Sequence, residues 1–315
     1  MRHIRGSAAL EQPIRRSIVT IGNFDGIHLG HQAILKTVVD RAKDLDGQAV
    51  VYTFDPHPRK VLRPEKAPAL LNTLEQKLEL LEQAGVDVAV VEPFTAEFSR
   101  TGAGEFVRIL HERIQPLEVY VGYDFHFGRD REGSMRMLTE MGPRLGFSVT
   151  IIPEVTVDAG DVNSTRIRQL LAEGEAERAA RMLGRPFTIR GYVVRGDERG
   201  RSLGFPTANV EPENEVIPGA GVYAGHLRLL DDGDPPAGVR LPAVINLGRR
   251  PTFGDGRGLV AEAHAIDSGG DFYGRRVELS FNVWLRAEKR FPSADALSVQ
   301  IEQDVETARR RLELL

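Results

Sequence analysis

The hydrophobic pattern of the chain changes its period near Gly184-Arg185-Pro186. Before this point, short apolar runs alternate with stretches in which apolar residues recur at helical spacing. After it, apolar and polar residues alternate one by one. A single core rarely serves more than about 300 residues, and this chain has 315. The change of period therefore predicts two domains, residues 1–184 and 185–315.

The first half has the pattern of a parallel sheet covered by helices. Runs rich in β-branched residues predict five buried strands, over Ser17–Gly22, Gln48–Phe54, Val86–Val91, Leu117–Gly122 and Phe147–Ile152. Helical stripes lie between them, over His31–Leu45 and Thr73–Ala84, and the second begins with a capping box formed by Thr73 and Gln76. This alternation predicts a Rossmann-like, doubly wound sheet, whose ligands bind beyond the carboxyl ends of the strands where the strand order reverses.

The second half predicts a small closed β-barrel. Val277–Leu285 alternates strictly between apolar and polar residues, which is typical of a strand with one face in a core. Further strands are expected over Phe187–Arg195, Val222–Leu230, Leu241–Leu247 and Leu259–Ile266, with turns rich in Gly, Pro and Asp between them. Short strands at this spacing indicate a barrel. A final helix is expected after Ser293, with its apolar side packed on the barrel.

Composition excludes several classes of protein. The net charge of −4 argues against a general nucleic-acid binder, which usually carries a basic face. The absence of cysteine excludes disulfide scaffolds, thiolate nucleophiles and cysteine-ligated metals. No apolar run approaches the roughly 18–20 residues of a membrane span, and Met1–Arg16 lacks the apolar core of a secretory signal. We therefore expect a cytoplasmic protein that binds neither nucleic acid nor membranes.

A segment rich in glycine and histidine, GNFDGIHLGH, directly follows the first predicted strand. Its glycines allow the backbone to approach a phosphate closely, and the helix that begins there offers unpaired N–H groups. His28 and His31 lie on the same side of the first helical turn, where imidazoles can donate hydrogen bonds to an α-phosphate during transfer. The other residues assigned to phosphate binding are Gly22, Phe24, Asp25 and Gly26. A plain turn with two surface histidines, or a weak two-histidine metal site, also fits the pattern.

A second segment, NSTRIR, lies well after the last predicted strand of the first half, at the start of another helix. Hydroxyls, a helix N-terminus and arginines together suit the β- and γ-phosphates of ATP. Ser164, Thr165 and Arg166 are the residues assigned to this contact. An N-cap followed by solvated arginines would give the same pattern.

The segment GDERGRSLGFPTAN, which begins at Gly196, lacks the GK[ST] ending of a Walker loop but is still suited to ATP. Gly196 and Arg201 are assigned to ATP binding. Thr207 and Asn209 offer hard oxygen ligands for Mg²⁺ on one face if the segment is extended. A hairpin loop with a turn-capping Thr and Asn explains these residues equally well.

Glu262 is the candidate general base of the second half. In its predicted strand it shares a face with Val260, His264 and Ile266, and a carboxylate among apolar neighbours can accept a hydroxyl proton. The alternative is that this face is the solvent side of an edge strand, with Glu262 and His264 exposed. Simple alternation favours the alternative.

GNFDGIHLGH together with NSTRIR resembles the HxGH nucleotidylyltransferases. The segments VYTFDPHP and VGYDFHFG narrow the resemblance to the bacterial bifunctional riboflavin kinase/FAD synthetases. In the second half, LGFPTANV, VINLGRRPTF, AEAH, DFYG and LRAEKRF are similar to the riboflavin kinase module in order and spacing. One departure is Ser268, which stands where the family often carries an aromatic residue.

The resemblance implies two reactions that use ATP with Mg²⁺ and no tightly bound prosthetic group. The barrel would phosphorylate riboflavin to FMN and release ADP, with Thr207 and Asn209 on the metal and phosphates and Glu262 as the base for the ribityl 5′-hydroxyl. The first domain would adenylylate FMN to FAD and release pyrophosphate. There, His28 and His31 would contact the reacting phosphate, and Ser164, Thr165 and Arg166 would contact the triphosphate.

The resemblance also implies flavin contacts in the first domain. The residues concerned are Phe54, His57, Pro58, Asp124 and Phe125. We expect a monomer or a weak homo-oligomer.

Two other functions fit part of the pattern. In one, only the first half is active, on another phosphorylated acceptor, although Thr207, Asn209 and Glu262 are all present. In the other, the protein is a flavin-binding regulator that uses the barrel as a sensor, which measurable ATP turnover would exclude.

Overall fold

A computed structural model describes residues 1–157, 160–196, 204–233, 235–249, 259–268, 270 and 272–314. By their internal contacts they form two units, Met1–Asn163 and Ser164–Leu315. The division lies before the boundary expected from the sequence, because two helices that were assigned to the first domain pack within the second unit. Which boundary gives independently folding pieces stays a prediction.

Six parallel strands form the sheet of the first unit: β1 (Arg2–Arg5), β2 (Ser17–Ile21), β3 (Gln48–Asp55), β4 (Val88–Pro93), β5 (Pro116–Gly122) and β6 (Ser148–Ile152). Their order is β1-β4-β3-β2-β5-β6, and every neighbouring pair is parallel. This confirms the doubly wound sheet. The order reverses at β2, between β3 and β5, so the loop after β2 opens into the crevice where such sheets bind ligands.

The helices of the first unit are α1 (Leu29–Asp44), α2 (Pro58–Leu62), α3 (Leu74–Gln83), α4 (Ala103–Ile109) and α5 (Met135–Met141). A π-helical turn, Leu110–Ile114, continues α4. The predicted capping box is confirmed: Gln76 N donates to Thr73 Oγ1 at 3.2 Å, and Thr73 N donates to Gln76 Oε1 at 3.0 Å. The α3 helix is followed by Gly85 at φ +87°, as expected of a glycine that ends a helix.

Short elements complete this unit. Three-residue 3₁₀ turns lie at Ser7–Ala9, Pro64–Lys66, Phe98–Arg100, Arg129–Arg131 and Pro143–Leu145. Two-residue strand pairs join His126–Phe127 to Gly133–Ser134 and Thr156–Val157 to Gly160–Asp161.

Six antiparallel strands close a barrel in the second unit: β7 (Phe187–Val194), β8 (Ala208–Pro212), β9 (Gly221–Leu229), β10 (Arg240–Arg249), β11 (Leu259–Ala265) and β12 (Arg276–Arg286). The order around the barrel is β7-β8-β11-β10-β9-β12. The predicted barrel is confirmed. The β11 strand lies between β8 and β10, so it is not an edge strand.

In the described part of the second unit the helices are α6 (Ser164–Ala172), α7 (Ala176–Leu183) and α8 (Ala294–Glu313). The α7 helix is tied to β12, because Trp284 N donates to Glu177 Oε2 at 3.3 Å. Ser293 caps α8 by accepting from Ala296 N at 3.2 Å. Ala308 of α8 packs with Val222 and Val283 on the outside of the barrel, which confirms the expected terminal helix.

Candidate active sites

The loop between β2 and α1 carries the first candidate site. It leaves the sheet at Gly22, whose N–H donates to Tyr52 O of β3 at 3.0 Å. Phe24, Gly26 and Ile27 all have positive φ angles, +48°, +85° and +40°, so the backbone turns sharply. Phe24 and Ile27 are nevertheless fully buried, and their side chains fix the loop to the core.

His28 and His31 form a stacked pair at the start of α1. His28 is the N-cap residue, and its Nδ1 accepts from His31 N at 3.4 Å, so the proton of a neutral His28 lies on Nε2. The two rings are 3.7 Å apart at their centroids and 18° from parallel. His28 is buried, which contradicts the alternative of two surface histidines.

The environment keeps His31 uncharged. Burial, with smaller contributions from His28 and Lys77, lowers the pKa of His31 well below its ordinary value. Among the residues that the structure describes, its buried Nδ1 has no hydrogen-bond partner. A neutral imidazole can still donate one hydrogen bond to a phosphate oxygen.

Two buried charged side chains lie in the same region. Asp25 accepts from Leu71 N at 2.9 Å, which ties the loop to the segment before α3. Lys77 of α3 is only 8% exposed. Burial lowers the pKa of Lys77, whereas Asp25 and Asp55 oppose that shift. Lys77 was not among the residues expected at this site, although it lies one helical turn before the buried Leu81 and so on the core side of α3.

The predicted flavin residues lie in different local settings. Phe54 contacts Tyr52 edge-on at 5.7 Å, and Phe125 stacks on Phe127 at 5.5 Å. Phe106 contacts both Tyr52 and Phe127, so the two predicted phenylalanines belong to one connected aromatic cluster. His57 caps α2 by accepting from Arg59 N at 3.1 Å, and Pro58 is the first residue of that helix. Asp124 lies in an exposed turn, and its carbonyl is 2.8 Å from His126 Nδ1.

Ser164, Thr165 and Arg166 form the first turn of α6. The predicted helix start is confirmed, and their contact with the triphosphate stays a prediction.

Glu262 lies at the centre of the second candidate site. It pairs with Asn209 of β8 on one side and with Asn246 of β10 on the other. Directly opposed residues in antiparallel strands point to the same side, with Cβ atoms about 4.5–5.5 Å apart. We name this set, Asn209, Glu262 and Asn246, the carboxamide row. Its central Glu262 is half-buried on the outward face, opposite the fully buried Ala261 and Ala263.

Gly196 covers one end of the carboxamide row. A Cβ atom built on Gly196 would lie 2.2 Å from Asn209 Nδ2 and 2.4 Å from Asn209 Cγ. No side chain fits there unless the Asn209 amide moves, and Asn209 itself is 8% exposed. The close approach at Gly196 is to Asn209, and the predicted contact of Gly196 with ATP stays a prediction. Arg201 lies outside the described residues, so its assignment stays a prediction.

Thr207 is half-buried and enters β8 two residues before Asn209. The Thr207 hydroxyl, the Asn209 amide oxygen and the Glu262 carboxylate are hard oxygen donors of the kind that Mg²⁺ binds. No group of three or more Asp, Glu or His side chains that could hold a metal occurs in the described part of the chain. Mg²⁺ in nucleotide enzymes commonly needs only one or two protein ligands beside phosphates and water, so these residues fit the ion.

Comparison with known proteins matches both halves of the chain to enzyme families. Residues 10–166 match the family model for FAD synthetase, and residues 183–312 match the model for riboflavin kinase. A Haemophilus influenzae protein named bifunctional riboflavin kinase/FMN adenylyltransferase is 38% identical and covers 98% of this chain and 98% of its own length. An Escherichia coli protein of the same name is 39% identical over 98% of this chain and 97% of its own length.

One solved structure is similar over its whole length. It is named a macrolide-efflux protein from Streptococcus pneumoniae, with a TM-score of 0.88, 28% identity, and coverage of 98% of this chain and 99% of its own. In the described ranges of the present chain, no helix is long and apolar enough to cross a bilayer.

Each half thus falls into a family of ATP-dependent transferases. The chain belongs to the bifunctional riboflavin kinase/FMN adenylyltransferase family, with an N-terminal FAD synthetase domain and a C-terminal riboflavin kinase domain. The resemblance found in the sequence motifs is confirmed.

Proposed function

We propose that the carboxamide row is the kinase centre and that the His28–His31 pair is the adenylyl-transfer centre. The observation that carries the proposal is the position of Glu262 between the two carboxamides of Asn209 and Asn246. The backbone of Gly196 packs closely against Asn209, so a larger residue there would displace the Asn209 amide. A half-buried carboxylate on a central barrel strand, flanked by hydrogen-bonding groups, is suited to proton abstraction.

In the kinase reaction, Glu262 accepts the proton of the ribityl 5′-hydroxyl. The oxygen then attacks the γ-phosphorus of ATP, the bond to the β-phosphate oxygen breaks, and ADP leaves with the electron pair. Thr207 and Asn209 would hold the metal, and Gly196 brings backbone close to the nucleotide. Bound Mg²⁺ would neutralise charge on the phosphates. Phosphoryl transfer passes through a loose transition state, in which bonds to both the attacking and the leaving oxygen are weak. The protein therefore contributes mainly by positioning the reactants and stabilising charge.

In the adenylyl transfer, an oxygen of the FMN phosphate attacks the α-phosphorus of ATP, and pyrophosphate leaves. The nucleophile is already an anion, so no general base is required. The Nε2–H of His28 and the neutral ring of His31 would donate hydrogen bonds to the α-phosphate as charge develops there. Gly22, Phe24, Asp25 and Gly26 form or support the loop that approaches the phosphates, and Ser164, Thr165 and Arg166 would bind the β- and γ-phosphates.

We further propose Mg²⁺ as the metal, a cytoplasmic protein, and a monomer or weak homo-oligomer. Its partners would be riboflavin, FMN, FAD, ATP, ADP and pyrophosphate, and not nucleic acid. The oxygen donors of Thr207 and of the carboxamide row support the choice of Mg²⁺. The net charge of −4 supports the exclusion of nucleic acid.

Glu262→Gln tests the kinase base. The substitution keeps size and hydrogen-bonding reach but removes the ability to accept a proton, so FMN formation from riboflavin should fall by about 10²–10⁴-fold. FAD formation from supplied FMN should continue at the parent rate. Product chromatography measures both, and Glu211→Gln on the neighbouring β8 is the matched control. A folded Glu262→Gln protein that makes FMN at the parent rate would refute the assignment.

His31→Ala tests the phosphate contact of the first domain. Loss of a charge-stabilising donor should lower FAD formation from FMN by about 10²–10³-fold, while riboflavin phosphorylation should hardly change. His3→Ala, on the exposed edge strand β1, is the control. If His31→Ala lowered both activities together, His31 would be a structural residue of the whole protein.

A further inference from the structure

His264 lies two residues after Glu262 on β11 and on the same outward face. Its Nδ1 is 2.9 Å from the carbonyl oxygen of Pro206. Its ring also contacts Phe205 edge-on, with centroids 5.5 Å apart and planes at 81°. Both contacts are with the segment that leads directly into Thr207.

The chemistry of the contact fixes the direction of the hydrogen bond. A carbonyl oxygen can only accept, so His264 Nδ1 carries the proton and donates. The carbonyl that accepts this hydrogen bond belongs to the peptide that joins Pro206 to Thr207. Proline has no N–H, so this segment cannot be held by a donor from Pro206 itself.

The strand register shows why Thr207 needs such an anchor. The β8–β11 ladder pairs Asn209 with Glu262 and Ala208 with Ala263, and there it ends. One further step of the same register sets Thr207 opposite His264. Thr207 therefore lies one residue beyond the ladder, and the side chain opposite it holds its peptide instead.

We propose that His264 is a positioning residue of the kinase site. Its Nδ1–H holds the Pro206–Thr207 peptide so that the Thr207 hydroxyl is presented beside Asn209 and Glu262 to the metal-bound phosphates of ATP. The imidazole touches neither substrate nor phosphate. This role rests on the proposed kinase function of the carboxamide row.

Two substitutions in the full-length protein separate the hydrogen bond from packing. In His264→Asn, the side-chain amide nitrogen can take the place of Nδ1 and keep the donor. In His264→Leu, the bulk remains and the donor is lost. The KM for ATP and the kcat of FMN formation are measured with Mg²⁺, and FAD formation from supplied FMN is the internal standard. His226→Leu is the matched control, because it removes another half-buried histidine from the outward face of the barrel.

We expect His264→Leu to raise the KM for ATP about tenfold, the effect of one lost hydrogen bond, with a smaller change in kcat. His264→Asn should restore most of the parent KM, and adenylylation should be unchanged in both variants. A folded His264→Leu protein with the parent KM would overturn the proposal. An equal loss in the Asn and Leu variants would overturn it too, because the ring would then act by packing alone. If the parent protein itself formed no FMN, the kinase function would fail, which is a different result.

Discussion

At the scale of single residues, the proposed kinase site requires glycine at position 196. The backbone of Gly196 lies so close to Asn209 that any Cβ would overlap the amide group. The Asn209 side chain would then leave the carboxamide row, and misplacement by about 1 Å can cost on the order of 10²-fold in rate.

We therefore expect Gly196→Ala to lower FMN formation from riboflavin by about 10²-fold and to leave FAD formation from FMN unchanged. Steady-state assays of the two reactions measure the effect. Gly104→Ala is the control, because the nearest atom to its added Cβ is 4.0 Å away. Parent-level FMN formation by Gly196→Ala would mean that Asn209 has no part in the kinase reaction.

Residues within contiguous motifs could be predicted from the sequence, and those that depend on distant pairing could not. His28 and His31 follow from one helical turn, and the Thr73–Gln76 capping box from a four-residue pattern. The position of Asn246 beside Glu262 depends on the register between β10 and β11, which no local pattern contains. Alternation placed Glu262 on the outward face correctly, but it could not show that β11 has a neighbour on each side.

At the scale of elements, a partly buried ion pair between Arg286 and Asp304 helps to hold α8 on the barrel, beside the apolar packing of Ala308. Arg286 Nη2 donates to Asp304 Oδ2 at 2.7 Å and Nε donates to both carboxylate oxygens at 3.0 Å. Gln300 Nε2 donates to Asp304 Oδ1 at 2.9 Å. Asp304 is buried, so on folding its carboxylate loses its hydrogen bonds to water and accepts those of Arg286 and Gln300 instead.

Asp304→Asn should lower the free energy of unfolding of the barrel by about 2 kcal/mol, because it weakens hydrogen bonds to a charged group. Tryptophan fluorescence during denaturant titration reports the unfolding of the barrel, since the single tryptophan of the chain is Trp284, on β12. Glu306→Gln on the same helix is the control: its exposed pair with Arg310, at 3.7 Å, should contribute less than about 1 kcal/mol. Equal effects of the two substitutions would contradict the anchoring role of Asp304.

Two properties of an element decided whether the sequence could predict it: its length, and whether its position depends on pairing with a distant strand. Strands β2 to β6 of the first sheet, with five to eight residues, and helices α1 and α3, with 16 and 10 residues, are long enough to show a period. The edge strand β1 has four mostly exposed residues, RHIR, and its position comes only from pairing with β4. Helices α2, α4 and α5 have five to seven residues, too few for a clear helical stripe.

At the scale of the whole molecule, the residues of α6 and α7 were expected with the first domain but pack in the second unit. The α7 helix buries Ala176, Ala179, Met182 and Leu183. A Cβ on Gly174, in the turn before it, would lie 2.7 Å from the Trp284 ring. No helix was predicted from the sequence over residues 176–183, and the surface that α7 covers follows only from its packing against β12.

We expect residues 185–315 expressed alone to fold and to make FMN but no FAD. Residues 164–315 should also fold and make FMN but no FAD. Their free energy of unfolding should exceed that of the shorter fragment by at least about 3 kcal/mol, because burial of Met182 and Leu183 contributes roughly 1.5–3 kcal/mol each. Trp284 fluorescence during denaturation and product chromatography check both points. An insoluble or inert shorter fragment, beside an active longer one, would place the functional boundary before α6 and not after Gly184.

The most direct test of two separate centres in one chain is the product profile from riboflavin, ATP and Mg²⁺ with His31→Ala, Glu262→Gln and an equal mixture of the two. His31→Ala should stop at FMN, and Glu262→Gln should leave riboflavin unchanged while still converting supplied FMN. The mixture should form FAD, because FMN released by one variant is a substrate for the other. Loss of both conversions in either folded variant, or a mixture that forms no FAD, would contradict the account.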